Sequence, residues 1–229
     1  MKERLQRYEH LIRDEKKAEF TEFKRLLREY NERYNLTTIL EDEDILYKHF
    51  LDSAAGEFLF ERNSRVAEIG SGAGFPSLVL KILRPDLSFS LFESVGKKCE
   101  FLKVVVDKLG FEKMNIYNFR AEDGARREEL RERFDHATAR AVARMNTLSE
   151  YCMPFVKVGG SFIAYKSGDE TEIEEGKSAY GTLGGKLETY YRYELPKEYG
   201  ERILAVVKKT KSTPNKYPRG QGKERKSPL

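Results

Sequence analysis

The chain has 229 residues, 39% hydrophobic and 35% charged, with a mean hydropathy of −0.66. A chain of that size can bury roughly 70–75% of its unfolded surface, so it needs neither disulfides nor a structural metal to fold. No run approaches the ~18–20 apolar residues of a membrane span, and the opening MKERLQRYEH carries charges where a signal peptide has its apolar core, so a soluble, cytoplasmic protein is expected.

Residues 3–31 predict a helix, with Leu5, Tyr8, Leu11 and Ile12 on one stripe and Phe20, Phe23, Leu26, Leu27 and Tyr30 continuing it. A second helix is predicted over about 42–60, its start marked by the acids from Glu41 to Asp44. Residues 1–62 therefore read as a helical cap. From Arg65 onward, β-rich runs alternate with helical patterns, as in βαβ units. Strands are predicted at Val66–Ile69, Ser88–Glu93, Asn115–Phe119, Asp135–Ala139, Ser161–Lys166, Thr189–Glu194 and Ile203–Lys208. Helices are predicted at Phe75–Leu83, Lys97–Leu109, Ala125–Arg133 and Met145–Phe155. The fold class is α/β: a Rossmann-like, mostly parallel seven-stranded sheet flanked by helices, over residues 63–209. Residues 210–229, rich in Pro, Gly and Lys, are expected to be irregular.

The segment V66-A-E-I-G70-S-G72-A-G74-F-P runs an apolar strand into three glycines and then an apolar helix. Glycines there allow a tight turn and close approach of a ligand. Nineteen residues after Gly74 stands Glu93, placed at a strand end where its carboxylate can accept both ribose hydroxyls of an adenosine. Dinucleotide enzymes use GxGxxG, whereas here the third glycine comes one residue early and Phe75 follows it, a spacing that favours S-adenosylmethionine over NAD. Glu68 is expected to reach the ligand's ammonium group. After the third strand, Glu122 or the backbone at Ala121 can accept from the adenine amine, or Glu122 can simply cap the helix that follows.

Together with these motifs, the runs EIGSGAGFPSLVL, LFESVGKKCEFL, RAE, FDHATARAVA, GGSFIAYK and PNKYPRGQGKERKSPL, preceded by Y34-N-L-T37 and H49-F-L-D-S53, give a chain that resembles the RsmG (GidB) family of 16S ribosomal RNA methyltransferases. The resemblance covers nearly the whole chain, in order. It implies methyl transfer from S-adenosylmethionine to N7 of a guanine in a conserved loop of small-subunit rRNA. It also implies a cofactor held by Gly70, Phe75, Glu93, Ser94, Ala121, Glu122 and Arg140, and it places Asn35, His49 and Asp52 at the pocket. Two positions depart from the family's usual pattern: Ser77 stands where glycine is common, and Glu68 where aspartate is usual.

Guanine N7 carries a free lone pair, so its methylation requires no general base, only alignment of nucleophile and methyl at about 3–3.5 Å. This suits a chain without an obvious catalytic pair, an [N/D]PPY motif or a Pro-Cys nucleophile. A base recognised without blocking N7 requires a single donor to O6, and Arg140 and Lys166 are the candidates. Alternatively, Arg140 forms a salt bridge to Glu122 or Glu93, and Lys166 is an exposed strand-end lysine. Phe50, Phe75 and Tyr165 are aromatics that could stack on a base or fill the core. No metal site is expected: Cys99 and Cys152 lack zinc spacing and read as reduced, packed thiols.

The net charge of +4 is unevenly spread: from Lys208 to Leu229 eight basic residues face one acid, so that segment carries +7 and the rest −3. Lys208, Lys209, Lys211, Lys216, Arg219, Lys223, Arg225 and Lys226 are therefore expected to form an electrostatic clamp on rRNA phosphates, whose removal hardly changes cofactor affinity; the alternative is a solvated tail that merely aids solubility. A monomer acting on 16S rRNA or the small ribosomal subunit is the expected form. The other readings are a methyltransferase of proteins or small molecules, a non-catalytic RNA-binding protein on a Rossmann-like sheet, and an NAD enzyme.

Overall fold

The computed structural model describes residues 1–229. Its sheet is built from β1 (Arg65–Ile69), β2 (Ser88–Phe92), β3 (Met114–Tyr117), β4 (Phe134–Arg140), β5 (Val156–Ser167), β6 (Gly185–Glu194) and β7 (Glu201–Lys209). They lie in the order β3-β2-β1-β4-β5-β7-β6. Strands β1 to β5 pair in parallel, while β7 runs antiparallel to both β5 and β6. The chain winds outward from β1 to β3 and then returns to lay β4 on the other side of β1. Beyond the carboxyl ends of β1 and β4 this reversal opens the crevice where open α/β sheets bind ligands.

The helices are α1 (Lys2–His10), α2 (Lys17–Tyr34), α3 (Asp42–Asp44), α4 (Asp52–Ala54), α5 (Ser77–Leu83), α6 (Gly96–Lys108), α7 (Ala121–Gly124), α8 (Met145–Cys152), α9 (Glu170–Glu175), α10 (Lys177–Thr182) and α11 (Lys223–Lys226). None is long and apolar enough to cross a membrane. Alternation along β1 sends Val66 to one side of the sheet and Ala67 and Ile69 to the other, each into its own apolar cluster. On the first side the amino-terminal helices pack with α5 and α6 around Phe23, Phe50, Phe89 and Phe101. The cap and the sheet thus share one core. The second side carries α8 to α10 and part of the carboxy-terminal segment, around Phe92, Phe134, Phe155, Phe162 and Tyr217.

Three expectations change. The first predicted helix is two helices joined by a widened π-helical turn, Leu11–Glu15, closed by Lys16 N–H donating to the Leu11 carbonyl at 2.8 Å. At about 100° per residue, an unbroken helix would set Ile12 and Phe20 roughly 80° apart; the wider turn brings both into the same core. The predicted helix 125–133 is absent: α7 ends at Gly124, and Glu132 takes a positive φ of 52°. Tertiary contacts hold this stretch instead, with Arg131 donating to the carbonyls of Thr213, Pro214 and Tyr217. By the same contacts, residues 210–229 are irregular but docked: Thr213, Tyr217 and Glu224 are buried.

Candidate functional site

Two pockets open at the carboxyl edge of the sheet, of ≈ 310 and ≈ 430 Å³, each within the size range of small-ligand sites (roughly 300–1,000 Å³). Gly70, Glu93, Ser94, Ala121, Glu122 and Arg225 line the first. His49, Asp52, Arg140, Tyr165, Lys166 and Arg202 line the second. Ala141 belongs to both, in a left-handed conformation (φ 57°) just past the end of β4.

The three motif glycines have different tasks. Gly70 lines the first pocket, and a Cβ there would fall 2.7 Å from Val142 Cγ2. Gly72, with φ +56°, presents its N–H to Glu93 Oε2 at 2.9 Å. Gly74 packs against Leu78, where a side chain has no room. The second oxygen of Glu93 accepts from Val95 N–H at 2.8 Å, so two backbone amides orient this nearly buried carboxylate and leave lone pairs free. Such a group suits a ribose diol. The turn does not suit a pyrophosphate, because the first amide of α5, Ser77 N–H, is taken by Glu68 Oε1 at 3.1 Å and the next donates to the Gly74 carbonyl. A carboxylate already occupies the place where a phosphate would bind.

Glu68, expected from the sequence to reach the ligand's ammonium group, does not line the cleft. It points to the α5 side of the sheet, fully buried, and caps a helix whose own N-cap, Pro76, has no side-chain acceptor. Burial pushes its carboxyl up to about 7, with the Ser77 hydrogen bonds and Arg140 opposing. Phe75 lines neither pocket; it stacks on His49 at 4.3 Å with Arg140 5.0 Å from its ring, joining the glycine turn to the cap.

In the second pocket Arg140 is held from several sides. Its guanidinium donates to Asp52 Oδ2 at 3.0 Å, to the Lys48 carbonyl at 2.9 Å and to His49 Nδ1 at 3.1 Å. Neither Glu122 nor Glu93 is its partner. Because arginine only donates, Nδ1 of His49 must accept, which puts its proton on Nε2, facing Thr37 Oγ1 at 3.0 Å. Burial, and then the adjacent Arg140 charge, hold His49 down to about 3. Tyr193 donates to the other Asp52 oxygen at 2.7 Å, so Asp52 is a buried hub on the wall of this pocket. Lys166 lines the pocket but is engaged with Glu172 at 2.6 Å and the Ala143 carbonyl at 2.9 Å. Asn35 stands apart from both pockets, exposed at the left-handed C-cap of α2.

The tail cations divide. Lys209, expected on the RNA surface, is buried: its ammonium donates to the Met153 carbonyl and Thr213 Oγ1 and pairs with Glu132 at 3.1 Å. Burial lowers its pKa to about 8, against the pull of Glu132. Arg219 is spent on the fully buried Glu150, meeting it through Nε, Nη2 and its own backbone N–H. Lys208 is half-buried, and Lys211, Lys216, Lys223, Arg225 and Lys226 are exposed. Cys99 and Cys152 are buried thiols, as expected.

Residues 16–198 match the family model of the rRNA small subunit methyltransferase G, GidB. The chain belongs to this family. Among curated methyltransferase G proteins, that of Clostridium perfringens (strain 13 / Type A) is 46% identical over 94% of this chain and 92% of its own length. That of Staphylococcus carnosus (strain TM300) is 42% identical over 99% and 96%. The fold is shared with far more distant solved methyltransferases. Precorrin-6y C5,15-methyltransferase of Geobacter metallireducens GS-15 superposes with a TM-score of 0.50 at 13% identity, over 68% of this chain and 85% of that one. TYW2 of M. jannaschii, crystallised with AdoMet, gives 0.53 at 16% identity over 69% and 74%. Within the family-matched region, sequence reasoning missed Tyr151 and Ala141. Tyr151 sits in a helix whose pattern signals only core, and Ala141 takes its left-handed conformation without a glycine to announce it.

Proposed function

We propose that this methyltransferase of the G family binds S-adenosylmethionine in the cleft of Gly70, Glu93, Ala121 and Glu122 and methylates N7 of a guanine of 16S rRNA held in the pocket of Arg140 and His49. The observation that carries this reading is the shared wall at Ala141, where a cofactor site and a cation-lined base site meet. When bound, the cofactor supplies an electrophilic methyl on a sulfonium. The chain's residues supply position: Glu93 fixes the ribose, and the Asp52–Arg140–His49 cluster holds one guanidinium rigidly with part of its donor fork unspent. A single donor from that fork to O6 orients the base while leaving N7 exposed. Lys166, tied to Glu172, braces the loop from β4 to α8 and leaves the O6 contact to Arg140. No group in the pocket has to remove a proton, and His49, held neutral by its surroundings, serves as an acceptor for Arg140. The protein acts where ribosomes are assembled, in the cytoplasm.

Replacing the target guanosine by 7-deazaguanosine in a synthetic rRNA fragment tests the acceptor atom. Transfer of labelled methyl is expected to vanish while RNA affinity stays within about twofold. Continued transfer to the deaza substrate overturns the N7 assignment.

A further inference from the structure

One face of α8 docks the carboxy-terminal segment. Thr147, Glu150 and Tyr151, spaced i, i+3, i+4, lie side by side on that helix. Thr147 Oγ1 donates to the Glu224 carbonyl at 2.9 Å, Glu150 takes Arg219 as its ion-pair partner, and Tyr151 enters the cofactor cleft beside Arg225. From the other side, Arg126 Nη2 donates to the carbonyls of Pro218 and Arg219 at 2.8 and 2.7 Å. Glu224, fully buried, accepts from Gly220 N–H and closes the turn before α11. Residues 219–225 are thus anchored at both ends, and Gln221 and Gly222 face Arg120, Glu122 and Asp123 across a small cleft continuous with these contacts.

We infer that this segment is a built wall of the cofactor cleft and that Arg225 contacts the adenosine end of bound S-adenosylmethionine. The placement points to the end: Arg225 lines the cleft with Phe119 and Glu122, which follow β3, and with Tyr151 of α8, whereas the methyl-transfer edge is at Ala141, directly at the end of β4. A planar guanidinium there can stack flat on a purine face, which the compact ammonium of a lysine at the same place would not reproduce. Arg225 thereby leaves the set of RNA clamps and joins the cofactor site. Its helix neighbours Lys223 and Lys226 are exposed and line no part of the cleft.

The inference rests on the cleft being the S-adenosylmethionine site, so the experiment separates the two. Calorimetric titrations of the full chain with S-adenosylmethionine and with 5′-methylthioadenosine, which lacks the amino-acid end, are run on wild type, Glu93→Ala, Arg225→Ala, Arg225→Lys and Lys226→Ala. Wild-type binding that is weakened by Glu93→Ala establishes the cleft; failure of either overturns the site reading itself. Arg225→Ala and Arg225→Lys are expected to weaken both ligands about tenfold with melting temperature unchanged, since Arg225 is exposed, while Lys226→Ala leaves both affinities intact. Loss confined to S-adenosylmethionine moves Arg225 to the methionine end and overturns the assignment. Unchanged binding of both ligands, with RNA affinity reduced, returns Arg225 to the RNA surface and does the same. Equal losses in Lys226→Ala reduce the effect to net charge and also refute the contact.

Discussion

Two buried glutamates anchor the two walls of the cleft at the carboxyl edge of the sheet, and they do so differently. Glu68 holds the glycine turn through a backbone N–H, with no cation within ion-pair distance and one oxygen without a hydrogen-bond partner. Glu150 holds the tail through a full ion pair with Arg219, its charge matched by one from a segment far along the chain. The first anchor is local: Glu68 and the Ser77 N–H it holds are nine residues apart, so the turn has one geometry as soon as β1 and α5 form. The second is wholly tertiary. A polar, glycine-rich tail has no structure of its own, and it acquires one only because α8 offers it a buried charge that must be neutralised.

The largest effect that can break this comparison is Arg219→Ala, which leaves Glu150 buried and unpaired. It is expected to destabilise the fold by about 3 kcal/mol, the lower end for a broken buried pair, as measured by urea unfolding at neutral pH. A loss under about 1 kcal/mol would show the tail to be no more than loosely attached. Glu68→Gln sharpens the other half. Glu68 has its carboxyl raised from 4.5 to about 7 by burial, so its contribution to stability is complete below pH 4.5 and is lost as pH rises through 7. The glutamine variant does not titrate. It should match wild type near pH 4.5 and exceed it by about 3 kcal/mol at pH 8, a gap that thermal unfolding across a pH series measures directly. A pH-independent difference would mean that Glu68 stays ionised in the core.

Glu93→Ala compares the walls in binding instead of folding. It removes a carboxylate oriented by Gly72 and Val95, and is expected to cost about 1.5–3 kcal/mol of S-adenosylmethionine affinity in calorimetry. Unaltered affinity would take Glu93 out of the ribose site. The smallest effect concerns the cations the tail leaves free. Replacing Lys211, Lys216, Lys223 and Lys226 together by glutamine should lower the slope of log K against log salt for RNA by roughly 3, if each neutralises one phosphate of a single-stranded loop. An unchanged slope would confine these lysines to solubility. Cutting the chain at Lys211, the simpler experiment on paper, would also remove Arg219 and Arg225 and confuse the two walls.

What could be read from the residues was whatever depends on near neighbours in sequence. The alternation of strands and helices, the early third glycine and the Glu93 spacing are local patterns, and each strand was placed to within a few residues, apart from the first halves of β5 and β6. Backbone conformation and side-chain period are properties of a short stretch, so they show in it. Partner choice is not. Nothing around Glu68 distinguishes a ligand-facing acid from a helix cap; the side of the sheet it points to, and Pro76 at the N-cap of α5, decide that. Nothing in KKTKS tells Lys209 from Lys211, yet one is buried against Glu132 and the other is exposed. Asp52 and Arg140, far apart in the chain, meet only because β4 lies beside β1 and the cap shares its core. Sequence by itself thus determined the fold, the glycine turn and the family; tertiary structure alone decided which charges are free to meet a ligand, because a charge's role depends on what else is packed within a few ångströms of it.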